Sequence, residues 1–295
     1  MKFQFMRDHH KTHSVEMMAR LFSVSRSGYY AWGRRARSER ERSEEELLAQ
    51  ISEIQERVRY RYGSPRVTAE LRRDGKRVGH NRVARLMREN GLGRRARKRY
   101  RSTTDSNHGL DVAEDLLKRQ FSVSEKDKVW MSDISYIATA EGWVYLCVVI
   151  DLYSRKVVGW SMSTMLKTDL VLQALMMGLV RRKPPEGMIF HSDRGSQYCS
   201  HAFRRRLKRY RLRQSMSRKG DCWDNAPAES FFKTLKSELC GDRAFQSRRA
   251  ARAAIFEYIE VFYNRVRLHS TLGYMTPSEY EEFESQKLAS RGMVG

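Results

Sequence analysis

Three acidic residues constrain the fold of this chain more than any other feature. Asp193 follows the short apolar run 188–190, where a buried strand is expected to open into a loop. Asp133 lies within KVWMSDISYIAT, a run rich in strand-forming residues. Glu229 lies within DNAPAESFFKTLKSEL, whose apolar residues recur at helical spacing after a polar start. The sequence therefore predicts a fold in which two strands and one helix bring three carboxylates to one site.

A trio of carboxylates is typical of phosphodiester cleavage or transfer. In that chemistry two Mg²⁺ ions, roughly 4 Å apart, clamp the attacking and leaving oxygens. Hard cations of this kind take oxygen ligands, which carboxylates supply and imidazoles or thiols do not. The nucleophile is a water molecule or a DNA 3′-hydroxyl, so the protein needs no nucleophilic side chain. We therefore predict a site for two Mg²⁺ ions, with Mn²⁺ able to substitute.

The charge of the chain predicts a polyanionic partner. It has 57 Lys and Arg residues against 35 Asp and Glu residues, a net charge of +22. Residues 1–110 hold 27 of the basic and 13 of the acidic residues, so most of the excess lies in the first third. We expect that third to hold double-stranded DNA, because phosphate neutralisation supplies most non-specific affinity. Composition alone leaves a ribosomal or RNA-binding protein as the alternative.

The sequence indicates neither a membrane nor an oxidising compartment. No apolar run approaches the roughly 20 residues of a membrane span, and the first 20 residues are unlike a secretory signal. We expect a cytoplasmic, nucleoid-associated protein without a membrane partner. The cysteines form no CxxC pair, which argues for reduced thiols and against structural zinc. They are Cys147, Cys199, Cys222 and Cys240.

Residues 14–32 suit two short helices joined by a turn. One interpretation is a small helix-turn-helix, with Ser25 and Arg26 near the start of a recognition helix. The alternative is a structural cap of two helices. The next apolar series, Leu47, Ile51, Ile54 and Val58, fits an amphipathic helix that either faces a core or forms a short coiled-coil dimer contact.

A second helix-turn-helix is predicted from residue 60 to residue 92. One helix follows Gly63 and ends before a turn at Asp74 and Gly75, and His80 or Asn81 is expected to cap the next. The polar face of that second helix is expected to contact DNA, with a solvated arginine face as the structural alternative. This face carries Asn81, Arg82, Arg85 and Arg88.

Beyond this unit the pattern changes from helical to strand-like. Residues 93–109 are basic and nearly free of apolar side chains, as in a linker. From Lys128, three antiparallel strands are followed by alternating helices and strands, which is the order of the RNase H-like fold. We predict an α/β catalytic core, a mixed sheet flanked by helices, preceded by an all-α region. The predicted divisions are 1–59 (N-terminal helical region), 60–105 (helix-turn-helix domain), 106–122 (linker) and 123–285 (catalytic domain with C-terminal helices).

The spacing of the acids adds a resemblance to a known family. Thirty-five residues separate Asp193 from Glu229, as in the D,D(35)E domain of retroviral integrases and insertion-sequence transposases. Over residues 60–280 the chain resembles the second-frame product of IS3-type transposases. The words that carry this resemblance are SDISYI, VVIDLYSRKVVGW, HSDRGSQY, DCWDNAPAESFFKTLKSE and YNRVRLHSTLGYMTP.

The resemblance implies a DDE transposase that cleaves and joins insertion-sequence DNA ends. Its partners would be the terminal inverted repeats, target DNA, further copies of the chain on DNA, and an upstream-frame protein as fusion or partner. The rival interpretations are a non-catalytic DNA-binding regulator of transposition and an RNase H-like nuclease of another pathway.

The same resemblance implies roles for individual residues. Asp133, Asp193 and Glu229 would be the catalytic metal ligands; Asp151, which also ends a strand, is the rival for the first position. His191 either assists the site or is a structural hydrogen-bonding residue. For Arg265, Arg267 and His269 the alternatives are binding of the transposon end and bracing of the Glu229 helix. Side chains expected to hold phosphates beside the site are Lys233 and Lys236.

Overall fold

The computed structural model describes residues 1–34, 38–93, 111–218, 222–240 and 244–292. Its N-terminal part is helical, as the sequence predicts. Within the described ranges, no helix is long and apolar enough to cross a membrane. The helices of the N-terminal part are α1 (Lys2–His9), α2 (Val15–Leu21), α3 (Arg26–Arg34), α4 (Glu39–Arg57), α5 (Ser64–Arg73) and α6 (His80–Glu89).

A mixed sheet forms the centre of the C-terminal part. Its strands are β1 (Val129–Thr139), β2 (Gly142–Asp151), β3 (Val157–Ser163), β4 (Ile189–Ser192) and β5 (Arg213–Met216). They lie in the order β3-β2-β1-β4-β5; β1 to β3 are antiparallel, and β4 and β5 run parallel to β1. The predicted fold class is confirmed. The sequence does not predict β5, because its four residues, RQSM, show no apolar alternation.

The helices of this part are α7 (Thr168–Arg182), α8 (Ser196–Cys199), α9 (His201–Arg209), α10 (Ala226–Leu235), α11 (Arg248–Phe256) and α12 (Pro277–Gly292). A π-helical segment extends α10 to Cys240, and another extends α11 to Tyr263. Together, α11 and its extension form one long helix. Thr276 Oγ1 accepts the N–H of Glu279 and caps α12, which has 16 residues.

The predicted cap of α6 is wrong, and α10 also starts without a side-chain capping bond. Gly79 stands at the N-cap of α6 without a side-chain hydrogen bond, and His80 is already helical. His80 instead contacts Ser64 Oγ through its Nε2, at 3.0 Å. At the start of α10 the N-cap residue, Asn225, makes no side-chain capping bond, and the Asp224 carboxylate binds two arginines instead.

Two glycines let α7 approach the sheet closely. A Cβ on Gly159 of β3 would stand 2.2 Å from the carbonyl oxygen of Ala174 and 2.8 Å from the nitrogen of Gly178. A Cβ on Gly178 would come 2.9 Å from the ring of Trp130, which is fully buried in β1. The close packing of α7 on the sheet therefore requires glycine at both positions. Trp130 packs between β1 and α7.

We expect Gly159→Ala to lower the free energy of unfolding by about 1–3 kcal/mol, the usual cost of overpacking a core. The added methyl group meets backbone atoms, which cannot rotate away as a side chain can. Denaturant unfolding measures the loss. The control is Gly33→Ala, where a Cβ meets nothing within 4 Å and no loss is expected. Equal stability of Gly159→Ala and the parent would contradict this packing.

Helices α4, α5 and α6 share one hydrophobic core with the sheet and with α10 and α11. The core continues from Ile51 of α4 and Val67 of α5 to Ile137 of β1. The predicted apolar series from Leu47 to Val58 faces this core, as expected for the core-facing alternative rather than a coiled coil. Helix α4 therefore packs with α5 and α6. The packing therefore places α4 with the helix-turn-helix rather than with residues 1–34.

The segment before β1 lies along the edge strand of the sheet. The backbone N–H of Leu116 donates to Ser215 Oγ (2.9 Å), and that of Met216 donates to the carbonyl of Glu114 (3.3 Å). Residues 94–110, which include most of the predicted basic linker 93–109, lie outside the described residues. Of the predicted linker 106–122, Glu114 and Leu116 lie against β5.

Candidate active site

Asp133 and Asp193 lie side by side on neighbouring parallel strands. Ser132 of β1 pairs with Ser192 of β4, so the aspartates that follow both serines occupy equivalent positions. Each carboxylate is oriented by a backbone N–H, from Ile134 to Asp133 Oδ1 (2.7 Å) and from Gly195 to Asp193 Oδ1 (3.0 Å). The register of β1 and β4 therefore brings the two aspartates close together, as predicted.

Glu229 reaches the same end of the sheet through the packing of α10. Met131 lies two residues before Asp133 and so on the same face of β1. Ala228 is fully buried in a small cluster with Met131, which seats the first turn of α10 on that face. Glu229 follows Ala228 directly, and its side chain is exposed toward solvent. The structure thus brings the third predicted carboxylate to the other two.

A chain of hydrogen bonds reaches Asp224, the residue before the N-cap of α10. The backbone N–H of Leu116 donates to Ser215 Oγ, and that hydroxyl lies 2.8 Å from His191 Nδ1. Nε2 of His191 lies 3.1 Å from the carbonyl oxygen of Asp224. Because a carbonyl can only accept, Nε2 carries the proton. Burial lowers the pKa of His191 and favours this neutral form. His191 is therefore the structural histidine of the two alternatives.

The Asp224 side chain closes the same loop and was not predicted as part of the site. Its fully buried carboxylate accepts hydrogen bonds from Arg218 Nε (3.0 Å) and from Arg119 Nε (2.8 Å). The Arg218 guanidinium, followed by that of Arg119, holds the pKa of Asp224 well below its usual range. Sequence reasoning missed this ion cluster because Arg119 is 105 residues away along the chain.

The negative charges of Asp193 and Glu229 both act on Asp133. Burial, then the negative charges of Asp193 and Glu229, raise the pKa of Asp133 well above its ordinary value of 3.8. The positive charge of Lys236 acts in the opposite direction. Partial desolvation also raises the pKa of Glu229, although its side chain is exposed on one side. The site is therefore a concentration of like charge that a divalent cation would neutralise.

The donor set fits a hard cation, with one restriction. All three side chains offer carboxylate oxygens, the ligands that Mg²⁺ prefers. Among the described residues, no three His, Cys, Asp or Glu side chains are arranged to hold one ion together. Mg²⁺ usually takes one or two protein carboxylates and completes its shell with water and substrate phosphate. The arrangement therefore fits ions shared by pairs of carboxylates rather than an ion enclosed by all three.

We expect Asp133→Asn to stabilise the metal-free protein by about 1–2 kcal/mol at neutral pH, as relief of strain at a functional site often does. Because the folded-state pKa of Asp133 is raised, the unfolded chain releases the proton first. Stability therefore falls as pH rises from 3.8 through the folded-state pKa. Thermal unfolding in chelator, compared between neutral pH and about pH 4, measures this. The stabilisation should shrink toward acid pH, and a destabilised variant at neutral pH would contradict the electrostatics.

Lys236 and Lys233 differ in their surroundings. The ammonium of Lys236 lies 4.8 Å from the centre of the Tyr136 ring on β1, and burial lowers its pKa. Its charge acts on Asp133, so it stands beside the acidic residues. Lys233 is exposed on α10. Lys236 therefore lies beside the acidic residues, whereas Lys233, one turn before it on α10, faces solvent.

The predicted DNA-reading face of α6 is only partly open. Arg85 contacts Glu44 of α4 (2.6 Å) and Glu89 (2.8 Å), and Arg82 donates to Ser43 of α4 (3.1 Å). Asn81 and Arg88 are exposed at the two ends of the helix. In the described conformation, the central arginines therefore hold α4 against α6, and the ends of α6 face solvent.

The C-terminal cluster, which consists of Arg265, Arg267 and His269, also contains both buried and exposed side chains. Arg267 is buried and forms a bidentate salt bridge with Glu238, through Nε (2.9 Å) and Nη2 (3.0 Å). His269 is buried beside it, and burial, followed by the charges of nearby arginines, lowers its pKa to about 2. Of the two alternatives, Arg267 and His269 therefore fit the structural one, in which they brace the helix that carries Glu229. Arg265 is exposed.

Asp151, the rival for the first position, lies in a different setting. It is fully buried at the end of β2 and accepts backbone hydrogen bonds from Asp127, Tyr153 and Ser154. Burial raises its pKa to about 6. Its carboxylate organises the turn after β2.

Comparison with known proteins decides the family. Residues 42–100 match the HTH-like domain, and residues 123–222 and 210–277 match two models of the integrase core domain. The transposase InsF of insertion sequence IS3A from Escherichia coli (strain K12) is 44% identical over 98% of this chain and all of InsF. The chain belongs to the IS3-family transposases. It carries the catalytic core of a DDE polynucleotidyl transferase that acts in DNA transposition.

Two further similar proteins span different shares of the chain. The insertion element IS600 uncharacterized 31 kDa protein of Shigella sonnei is 43% identical to this transposase over 92% of its chain and all of the relative. A structure of the HTLV-2 integrase catalytic core domain in complex with magnesium is 15% identical and covers 52% of this chain and 96% of that one, with a TM-score of 0.41.

Proposed function

We propose that this transposase cleaves and joins the ends of its own insertion sequence with two Mg²⁺ ions held by Asp133, Asp193 and Glu229. The observation that carries the proposal is the placement of Asp133 and Asp193 directly after the paired Ser132 and Ser192, with Glu229 and Lys236 near enough to act on Asp133. When bound, the ions activate the attacking oxygen and stabilise the leaving oxygen. The three carboxylates would bind the ions between two strands and one helix. The ammonium of Lys236 would offset the negative charge of the DNA phosphate.

The DNA partners follow from the net positive charge of the chain and from the exposed polar residues of its helices. The terminal inverted repeats are proposed to lie along α6, whose exposed Asn81 and Arg88 mark its ends, and to reach the carboxylates past Lys233. Arg265 is a further proposed phosphate contact. Target DNA, assembly of several copies on DNA, and an upstream-frame protein as fusion or partner complete the proposal.

The test is cleavage and joining of DNA that carries the element's own ends. Products are expected with Mg²⁺ or Mn²⁺ and are expected to disappear in chelator, while DNA binding remains. Junction DNA and RNA–DNA hybrids serve as comparison substrates. Preference for either of them over the element ends would favour a nuclease of another pathway. Binding without any cleavage, even with the upstream-frame protein added, would favour a regulator.

A further inference from the structure

Helices α1, α2 and α3 form a unit with its own core. Met6, Met18 and Ala19 are buried together, and Val24 and Tyr29 pack against them. Every hydrogen bond, ion pair and ring contact that the structure describes for residues 1–34 has both partners within that range. The unit therefore does not act as a cap on another part of the described chain.

The connection between α2 and α3 is a locked helix-turn-helix. Ser23 adopts a left-handed conformation (φ 51°), with its N–H bonded to the carbonyl of Arg20 (3.2 Å). The N–H of Val24 bonds to the carbonyl of Ala19 (2.9 Å), which completes the two-bond pattern that ends a helix sharply. Four residues separate the helices, the length typical of helix-turn-helix motifs.

The start of α3 is equally well defined. Ser25 Oγ accepts the N–H of Gly28 at 3.0 Å and caps the helix. A Cβ on Gly28 would stand 2.7 Å from this oxygen and 3.5 Å from the ring of Phe3 on α1. The close approach of α1, α3 and the cap therefore depends on glycine, and α1 serves as the supporting helix of a three-helix unit.

The faces of α3 are clearly divided. Tyr29 and Trp32 turn inward, with ring centres 6.2 Å and 5.9 Å from that of Phe3. Ser27, Tyr30 and Arg34, at spacing i, i+3 and i+7, are exposed on the opposite face. Hydroxyl, phenol and guanidinium groups at this spacing suit a helix that lies in a major groove.

The charge of the unit fits DNA. Residues 1–34 contain six Lys and Arg residues against two acids. Both acids are engaged within the unit: Asp8 accepts from Gln4 (3.0 Å), and Glu16 pairs with Arg20 (3.7 Å) and Arg26 (3.8 Å). The surface offered to a partner is therefore cationic, as phosphate binding requires.

We propose that α1–α3 is a second helix-turn-helix, and that the Ser27–Tyr30–Arg34 face of α3 binds the element-end duplex that α6 also contacts. Five residue steps join Arg34 to Glu39 at the start of α4, a span of at most about 18 Å. The unit is thus tethered within reach of any duplex held by α4–α6. This inference depends on the DNA-binding function but not on the carboxylate site.

The test compares two equal charge changes in the full chain on element-end DNA. We expect Arg34→Glu to raise the Kd for element-end DNA about tenfold and to lower the slope of log affinity against log salt concentration by about 1. The DNA segment that the protein protects from nuclease should become shorter on one side. Lys11→Glu, in the turn between α1 and α2, is expected to change Kd less than twofold. Equal loss in both variants, or in neither, would overturn the proposal.

Two further measurements distinguish direct contact with DNA from a loss of folding. A photoreactive phenylalanine analogue in place of Tyr30 should crosslink to the end duplex in preference to duplex RNA; failure to crosslink, or preference for RNA, overturns the proposal even if Arg34→Glu folds poorly. The far-UV circular dichroism spectrum and thermal unfolding of Arg34→Glu should match those of the parent chain. A chain that binds as expected but never cleaves leaves the α3 proposal standing and removes the carboxylate proposal.

Discussion

Replacing Glu229 by glutamine is expected to lower the rates of cleavage and joining at least about a thousandfold, or roughly 4 kcal/mol in activation free energy. The substitution nearly preserves the shape of the side chain but removes the charge that an ion would neutralise. Because Glu229 is exposed on α10, the fold should be unaffected. DNA affinity should remain within a few fold, so gel-shift binding and strand-cleavage assays on the same end duplex separate the two effects.

Two control variants make this result specific. Glu186→Gln changes an exposed glutamate that pairs with Arg211, before the start of β4 and away from the strand end that carries Asp193. It should leave the rate unchanged. Asp151→Asn tests the rival carboxylate. This variant is expected to keep its cleavage activity but to have a lower free energy of unfolding. If Asp151→Asn abolishes cleavage in a folded protein while Glu229→Gln does not, the assignment of the trio is wrong.

The parts of the site that depend on local pattern were predictable. Strand propensity places Asp133 on β1 and Asp193 directly after β4, and helical periodicity places Glu229 on α10. These arguments need only short windows of sequence. The succession of β1 to β4 along the chain was predictable for the same reason, whereas β5 was not, because its existence depends on pairing with β4 rather than on its own residues.

The parts that depend on distant partners were not predictable. An arginine in a basic stretch has the same local pattern whether it meets DNA or a buried carboxylate. Arg85 meets Glu44, and Arg267 meets Glu238, so each is held by an acid that lies 41 or 29 residues away. The docking of α5 on the C-terminal region likewise depends on side chains from both ends of the chain.

Glu238 shows what such a distant contact does. Its side chain is buried, and it receives Arg267, the hydroxyl of Tyr258 (2.9 Å) and, at 3.6 Å, Arg66 of α5. It lies nine residues after Glu229 on the π-helical extension of α10. One carboxylate therefore links the helix-turn-helix, the C-terminal cluster and the helix of the active site.

We expect Glu238→Ala to lower the free energy of unfolding by about 3–5 kcal/mol, because it leaves Arg267 buried without a counter-charge. Denaturant unfolding with linear extrapolation measures this loss. The same substitution at Glu186, in an exposed ion pair, should produce no measurable change. A loss at Glu238 as small as that of a surface ion pair would mean that Arg267 finds water or another partner.

A double-mutant cycle separates the worth of the ion pair from the cost of an unpaired charge. If the loss in Glu238→Ala comes from stranding Arg267, then adding Arg267→Ala should cost little more, since the second substitution removes the unpaired charge. The two single losses would then exceed the loss in the double variant by at least about 1 kcal/mol. Additive losses would instead show that Glu238 acts mainly through Tyr258 and Arg66. In that case the docking of α5, rather than the Arg267 salt bridge, stabilises the helix that carries Glu229.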